Sequence, residues 1–414
     1  MISNWVKALP AMFLVGGTAI GGGMLVLPLA TGISGFIPSG VVMLLCWLAM
    51  TASGLFLLEA SLWFEDEVHM LTMSRRLLGK VGAAFAWVLF LFISYASIVA
   101  YTASGGDMLE EGVHALAGIS FGKALSCVLF FVIFGVVIDF GAQIVGRINA
   151  LLFIGLVGAY VLIVLIGLPE VKPENLLHQR WSTALMSIPF MLTSFSYQTL
   201  VPSLTPYMKR NPALLRISVI GGTTIALLIY ILWQIVVLGI VPAHGENGLI
   251  YALISGKPAT SFIGYAADGK WIATVATFFG FFAIVTSFLG MGLGLFDFLA
   301  DGLKVSKKGK GKLLLGSLIA FPTLFFAIFF ERVFLVALDI TGGFGDTILN
   351  GIMPVLMIWV GRYRLNLPSQ NIFKGGKALL GAVLLFFVLS LTLEILIHLG
   401  LISSIYDVTE FNTL

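Results

Sequence analysis

The chain has 414 residues, of which 59% are hydrophobic and 10% charged, with a net charge of +3. Soluble domains carry about 25% charged residues, so this composition excludes a soluble globular domain and describes a polytopic membrane protein with a mean hydropathy of +1.06. A net charge of +3 is too small to argue for a nucleic-acid partner.

Apolar runs of the length that crosses a bilayer, about 20 residues, recur eleven times. They lie at roughly 9–31, 38–63, 81–105, 122–140, 147–168, 184–206, 213–241, 272–297, 313–330, 332–361 and 377–401. The fold class expected is therefore all-α, with eleven transmembrane helices in one domain. The ninth and tenth runs are separated only by Glu331 and Arg332. Lys7 followed by an apolar stretch resembles a signal peptide, but that stretch spans fully and ten more follow, so it is expected to remain as the first helix.

The first run carries Gly16, Gly17, Gly21, Gly22 and Gly23, five glycines in eight positions, with Thr18, Ala19 and Ile20 between them. Each glycine costs about 1 kcal/mol against alanine in a helix. The run is expected to break there and to form half of a solute site; close helix packing through small residues is the competing reading. Residues 69–78 alternate Met and Leu with Arg75 and Arg76, the pattern of a short amphipathic helix at the interface. The third run carries Tyr95, Ser97, Tyr101 and Thr102, which either wall a site or pack the bundle. Cys46 and Cys127 lie inside apolar runs, as packed thiols do.

If the first ten helices form two halves of five, 9–168 and 184–361, the sixth run answers the first. Its middle holds Ser194, Phe195, Ser196, Tyr197 and Gln198, followed by Pro202, a polar interruption closed by a residue that lacks an N–H. Interrupted helices in corresponding positions of two halves point to a transporter site at the membrane midplane. Half-helix N-termini attract a carboxylate and C-termini an ammonium, so a zwitterion suits the site. The outer segment 242–270, apolar around 249–254, is expected to fold over the outer mouth.

In the eighth run Thr286 and Ser287 offer hydroxyls for an ion, or bond back to their own helix. The tenth holds a third glycine-rich break, flanked by Asp339 and Asp346. Glu59, Asp339 and Glu394 are the acids expected within the hydrocarbon, and Asp339, bordering a break, is the proton candidate. Glu394 and His398 share a helix face, as a relay or as a structural pair. Seventeen of the 23 Lys and Arg fall on the side of the N-terminus and six on the other. That asymmetry predicts a cytoplasmic N-terminus and an external C-terminus.

These residues resemble the hydroxy and aromatic amino-acid permease family, the bacterial tyrosine- and tryptophan-specific permeases. The likeness rests on 17–25 with Pro28, on Phe195 through Leu204, on 286–290 with 294–297, and on 342–345 with Asn350, Gly351 and Pro354. It implies a leucine-transporter-like five-plus-five inverted repeat with an eleventh helix, in the bacterial inner membrane, and import of an aromatic amino acid by proton symport. Sodium coupling, or another neutral amino acid, stays open, since Thr286-Ser287 resembles a sodium-site pair of related carriers. The likeness further implies that 18–23 and 194–198 hold the substrate's amino and carboxyl groups, that Phe195 and Tyr197 stack on its ring, and that Lys7 with Asp301 or Asp297 closes an inner gate. No cofactor is expected, and the scattered histidines argue against a membrane enzyme.

Overall fold

The computed structural model describes residues 2–64, 69–245, 247–256, 258–266, 270–330, 332–369, 372–373 and 375–410, and every regular element among them is helical. The first apolar run folds as two helices, α1 (Ile2–Ala19) and α2 (Gly22–Gly32), bent by 57° where Gly21 follows Ile20. α3 covers Phe36–Leu62 and α4 Met70–Ala117. Gly79 of α4 takes a φ of +75°, a conformation that suits glycine alone. The kink sets residues 70–78 apart as a short helix, with Met70, Met73 and Leu77 buried and Arg75 and Arg76 exposed. α5 (Lys123–Asp139), α6 (Ala142–Gly167) and the one-turn α7 (Pro173–Leu176) complete the first half.

The sixth run is broken more thoroughly than the first. α8 (Ile188–Ser194) stops, a short turn of 3-10 helix covers Gln198–Leu200, and α9 (Val201–Tyr207) resumes. Pro189 and Pro202 occupy first-turn positions, where a missing N–H costs nothing. α10 (Pro212–Ile240) starts on Asn211, whose side chain accepts hydrogen bonds from the N–H groups of Ala213 and Leu214. There follow α11 (Leu249–Ser255), α12 (Thr260–Ala266), α13 (Lys270–Leu303) and α14 (Gly309–Phe329). α15 (Val333–Ile340) runs without a break into a π-helix over Thr341–Ile352 and then α16 (Met353–Tyr363). α17 (Lys377–His398) and α18 (Ile405–Glu410) end the described chain.

Among the described residues, eight helices are long and apolar enough to cross a membrane, and nine if the bent α1–α2 pair counts as one. The expected eleven are not all recovered by that measure, for physical reasons. α5 has only 17 residues, and the pieces of the sixth run have seven each. Glu331, which divides the ninth run from the tenth, lies outside the described residues.

Burial sorts the helices into a centre and a rim. Every residue of α2 is buried. The outward faces of α6 and α14, by contrast, expose Leu151, Ile154, Phe321 and Phe329, an apolar surface that fits hydrocarbon. Gly16 of α1 lies against the Gly222 carbonyl of α10, where a Cβ would approach to 3.0 Å, so part of the glycine run does serve close packing. α11 lays Leu249 on Gly32 at the end of α2, covering that end of the broken helix. Glu59 of α3 and Arg362 of α16 form a two-pronged ion pair at 2.7 and 2.6 Å, with the guanidinium over the Phe373 ring. This buried acid is therefore neutralised by a structural partner.

Candidate functional site

The two breaks lie against each other. A Cβ on Gly23, in the first turn of α2, would sit 3.0 Å from the Ser194 hydroxyl and 3.1 Å from its Cα, so only a glycine lets α2 approach the end of α8 this closely. Both α1 and α8 end there with carbonyls that no helical N–H can reach. The hydroxyl of Tyr230, fully buried on α10, stands 2.7 Å from the Ala19 carbonyl and 2.7 Å from the Ser194 carbonyl. A phenol has one hydrogen, so the two carbonyls share it, and one side chain ties the two broken helices together. Trp233, one turn along α10, donates its indole N–H to the Met24 carbonyl at 3.0 Å. That carbonyl would otherwise look to residue 28, which is a proline without an N–H.

α4 and α13 close the first break from the other side. The Gly22 N–H donates to the Ser287 hydroxyl at 3.0 Å, and a Cβ on Gly21 would stand 2.5 Å from the same oxygen. The Tyr101 ring lies on Gly22, and its hydroxyl faces Ser97 and Ser287. Tyr95 turns away and donates to the Leu318 carbonyl of α14 at 3.0 Å. Thr286 spends its hydroxyl on the Phe282 carbonyl of its own helix at 2.8 Å. Thr18 is exposed and bonds back to the Leu14 carbonyl, while Ala19 is buried and Ile20 partly so.

In the second break the aromatic side chains point into protein. Phe195 packs edge-on against Tyr230 with ring centres 5.1 Å apart. Tyr197 and Gln198 are both fully buried and both donate to the Met50 carbonyl of α3, at 3.3 and 3.2 Å. Gly54 leaves the space that the Tyr197 hydroxyl occupies. Ser194 bonds back to the Phe190 carbonyl at 2.8 Å, while Thr193 donates to the Leu338 carbonyl of α15 at 2.9 Å and Ser196 to Asp346 Oδ1 at 2.8 Å.

Asp346 belongs to the π-helix, whose wide turns are marked by Thr347 bonding five residues back to the Gly342 carbonyl. Glycines carry this segment against three neighbours: Gly342 meets Pro189 and Thr193 of α8, Gly343 meets Glu394 of α17, and Gly345 meets Ile93 of α4. Asn350 donates from Nδ2 to Asp346 Oδ1 at 2.6 Å and to the Ser196 hydroxyl at 3.0 Å. Asp339 lies elsewhere, in a crevice of about 150 Å³ that it lines with Glu394, His398 and Tyr406. There it accepts a hydrogen bond from Tyr406 at 3.3 Å, while His398 stands 3.3 Å from Glu394.

Lys7 and Asp301 are both exposed, and no ion pair joins them among the described residues. One turn before Asp301, Asp297 pairs with Lys307 at 2.8 Å, and this hydrogen-bonded carboxylate raises the ammonium above the ordinary lysine range. Sequence reasoning singled out neither Tyr230 nor Trp233, because one aromatic in an apolar helix carries no local signal. Asp346 with Asn350 did leave one: a carboxylate and an amide four apart on a helix rich in glycine.

The sequence model of the tryptophan/tyrosine permease family matches residues 5–394. The chain is 33% identical over 400 residues to the tyrosine-specific transport system 1 of Haemophilus influenzae, covering 95% of this chain and 98% of that protein. It is 30% identical over 409 residues to the tryptophan-specific transport protein of the same organism, covering 94% and 96%. Among solved structures it is similar to MhsT in complex with L-phenylalanine, with a TM-score of 0.64 and 14% identity, covering 92% of this chain and 98% of that one. That likeness is one of fold, the leucine-transporter-like arrangement.

Proposed function

Because the chain belongs to the tryptophan/tyrosine permease family, and so to transport proteins rather than enzymes, we propose that it is a secondary active importer of an aromatic amino acid, tyrosine or tryptophan. The single observation that carries this reading is the pair of broken helices, α1–α2 and α8–α9, set face to face with Tyr230 between their carbonyl ends. Dipole ends of opposite sign meet there, as a zwitterion needs. The substrate's carboxylate takes the N–H groups of Gly21 and Gly23 at the start of α2, beside the Gly22 N–H that Ser287 holds, and its ammonium takes carbonyls at the ends of α1 and α8. Ser194, Ser196 and the Tyr101 ring border the same space.

On this reading the eleven helical runs all cross the membrane, the first ten as two inverted halves, with the N-terminus in the cytoplasm of a bacterial cell. A cation flowing down its gradient drives uptake, and the proton is the ion favoured. Ser287 is the one residue of the Thr286-Ser287 pair that meets the break, where it receives the Gly22 N–H. Lys7 and Asp301, not bonded to each other here, form the inner gate when that side closes.

The test is uptake by purified protein in liposomes, with labelled tyrosine and tryptophan under imposed proton and sodium gradients. Saturable accumulation of one or both under a proton gradient, competed by the other, is the expected result. Absence of uptake of any aromatic amino acid under either gradient overturns the reading.

A further inference from the structure

We propose that Asp346 carries the coupling proton, binding it on Oδ2 and passing the change to the substrate site through Ser196. The proposal rests on the reading of the protein as a cation-coupled carrier and names the group that does the coupling.

The geometry has three parts. First, Asp346 is fully buried, and among the described residues it forms no ion pair. Glu59, equally buried, has Arg362 for a partner, so this chain does neutralise a buried carboxylate where neutralisation is structural. The titratable groups on elements packed against this segment are Tyr101 of α4 and, beside Gly343 and Phe344, Glu394 and His398 of α17, with Asp339 on its own helix; the basic one, His398, lies against Glu394. A bare carboxylate in such surroundings is costly unless it takes up a proton.

Second, the hydrogen bonds are lopsided. Oδ1 accepts from Ser196 at 2.8 Å and from Asn350 at 2.6 Å; the Thr193 hydroxyl also faces the carboxyl group but donates to the Leu338 carbonyl, and Oδ2 and Asn350 Oδ1 have no partner. Two oxygens, both acceptors and both buried, are left over on two side chains that bond each other. A proton on Oδ2 turns that oxygen into a donor, and the Asn350 carboxamide, already bonded to the same carboxyl group, offers its bare Oδ1 as the acceptor. One proton satisfies both. A sodium ion needs a full shell of oxygens, and Oδ1 here is already committed to donors.

Third, the site is connected on both sides. Ser196 lies in the interruption between α8 and α9, so its hydroxyl reports the state of Asp346 to the substrate's neighbours. On the other side the crevice lined by Asp339, Glu394 and His398 reaches Glu394, which packs on Gly343, three residues before Asp346. The step is a simple transfer: the carboxylate takes a proton from the aqueous phase on one side and releases it to the other after the substrate has left.

The experiment compares wild type with Asp346→Asn in liposomes that contain a pH-sensitive dye, using labelled tyrosine and tryptophan. Wild type is expected to accumulate substrate under an imposed proton gradient with matching proton entry. Asp346→Asn should accumulate at least tenfold less and show no substrate-dependent proton entry, yet retain exchange of labelled for unlabelled substrate. Proton-driven accumulation by Asp346→Asn at the wild-type level overturns the proposal, as does wild-type accumulation driven by sodium alone. If wild type exchanges no aromatic amino acid, the carrier reading itself fails and the proton assignment with it. Should Asp346→Asn not fold, Ser196→Ala serves instead, since it removes a donor to Oδ1 and leaves the Asn350 acceptor in place. Loss of that donor raises the carboxyl group's proton affinity, so the pH at which driven uptake is half-maximal should move to higher pH, and an unmoved profile overturns the proposal.

Discussion

Tyr230 does more for the site than its lone position in an apolar helix suggests. Its hydroxyl shares one hydrogen between the Ala19 and Ser194 carbonyls, both buried and both at helix ends that cannot satisfy them. Leaving a buried acceptor unsatisfied costs about 1–3 kcal/mol. Tyr230→Phe keeps the ring against Phe195 and removes only the bond, so it should lower stability by about that amount and slow uptake more than it reduces yield. Thermal unfolding and initial uptake rates of the purified variant measure the two effects; an unchanged uptake rate at unchanged stability contradicts the role given to this hydroxyl. At this scale the sequence was only partly legible. Glycines announce a break because their backbone is costly in a helix, but which side chains span that break depends on how distant helices dock. Tyr95 and Tyr101 are both aromatic and both on α4, and only packing decides that Tyr101 meets Gly22 while Tyr95 meets α14. Tyr197 and Gln198, expected beside the ligand, are held by α3 for the same reason.

The elements that matter are the interrupted ones. α2 is wholly buried, and Gly21 before it and Gly22 and Gly23 at its start are each pressed on a different neighbour: Gly21 on Ser287, Gly22 on Tyr101, Gly23 on Ser194. A side chain at any of these positions moves α2 away from the break it faces. Gly22→Leu should therefore abolish uptake, because Tyr101 must leave its place, while the apolar run still inserts. Membrane yield against transport of labelled tyrosine and tryptophan checks this, and normal uptake by Gly22→Leu would remove the break from the site. The breaks of the first and sixth runs were legible in composition, since glycine, serine and proline interrupt an otherwise apolar run. The π-helix was half legible: Gly342, Gly343 and Gly345 marked an irregularity, but a wide turn that stays continuous was not distinguishable from a gap. Its consequence is that Asp346 rather than Asp339 is brought to Ser196.

The whole molecule follows from one asymmetry. Polar backbone exposed by a broken helix is untenable in hydrocarbon, so both breaks must sit at the centre, behind continuous helices that offer apolar side chains outward. α6 and α14 supply that rim, and α2, α8 and α9 fill the centre. This much hydropathy foretold; its eleven crossings are not all recovered among the described residues, because short and broken helices fall below the length that marks a span. The most direct measurement is a structure of the protein in a lipid nanodisc with bound tyrosine or tryptophan. The account predicts the ligand's carboxylate on the N–H groups of Gly21 and Gly23, and its ammonium toward the carbonyl ends of α1 and α8. A ligand seated instead in the crevice of Asp339, Glu394 and His398, with the two breaks empty, would contradict it.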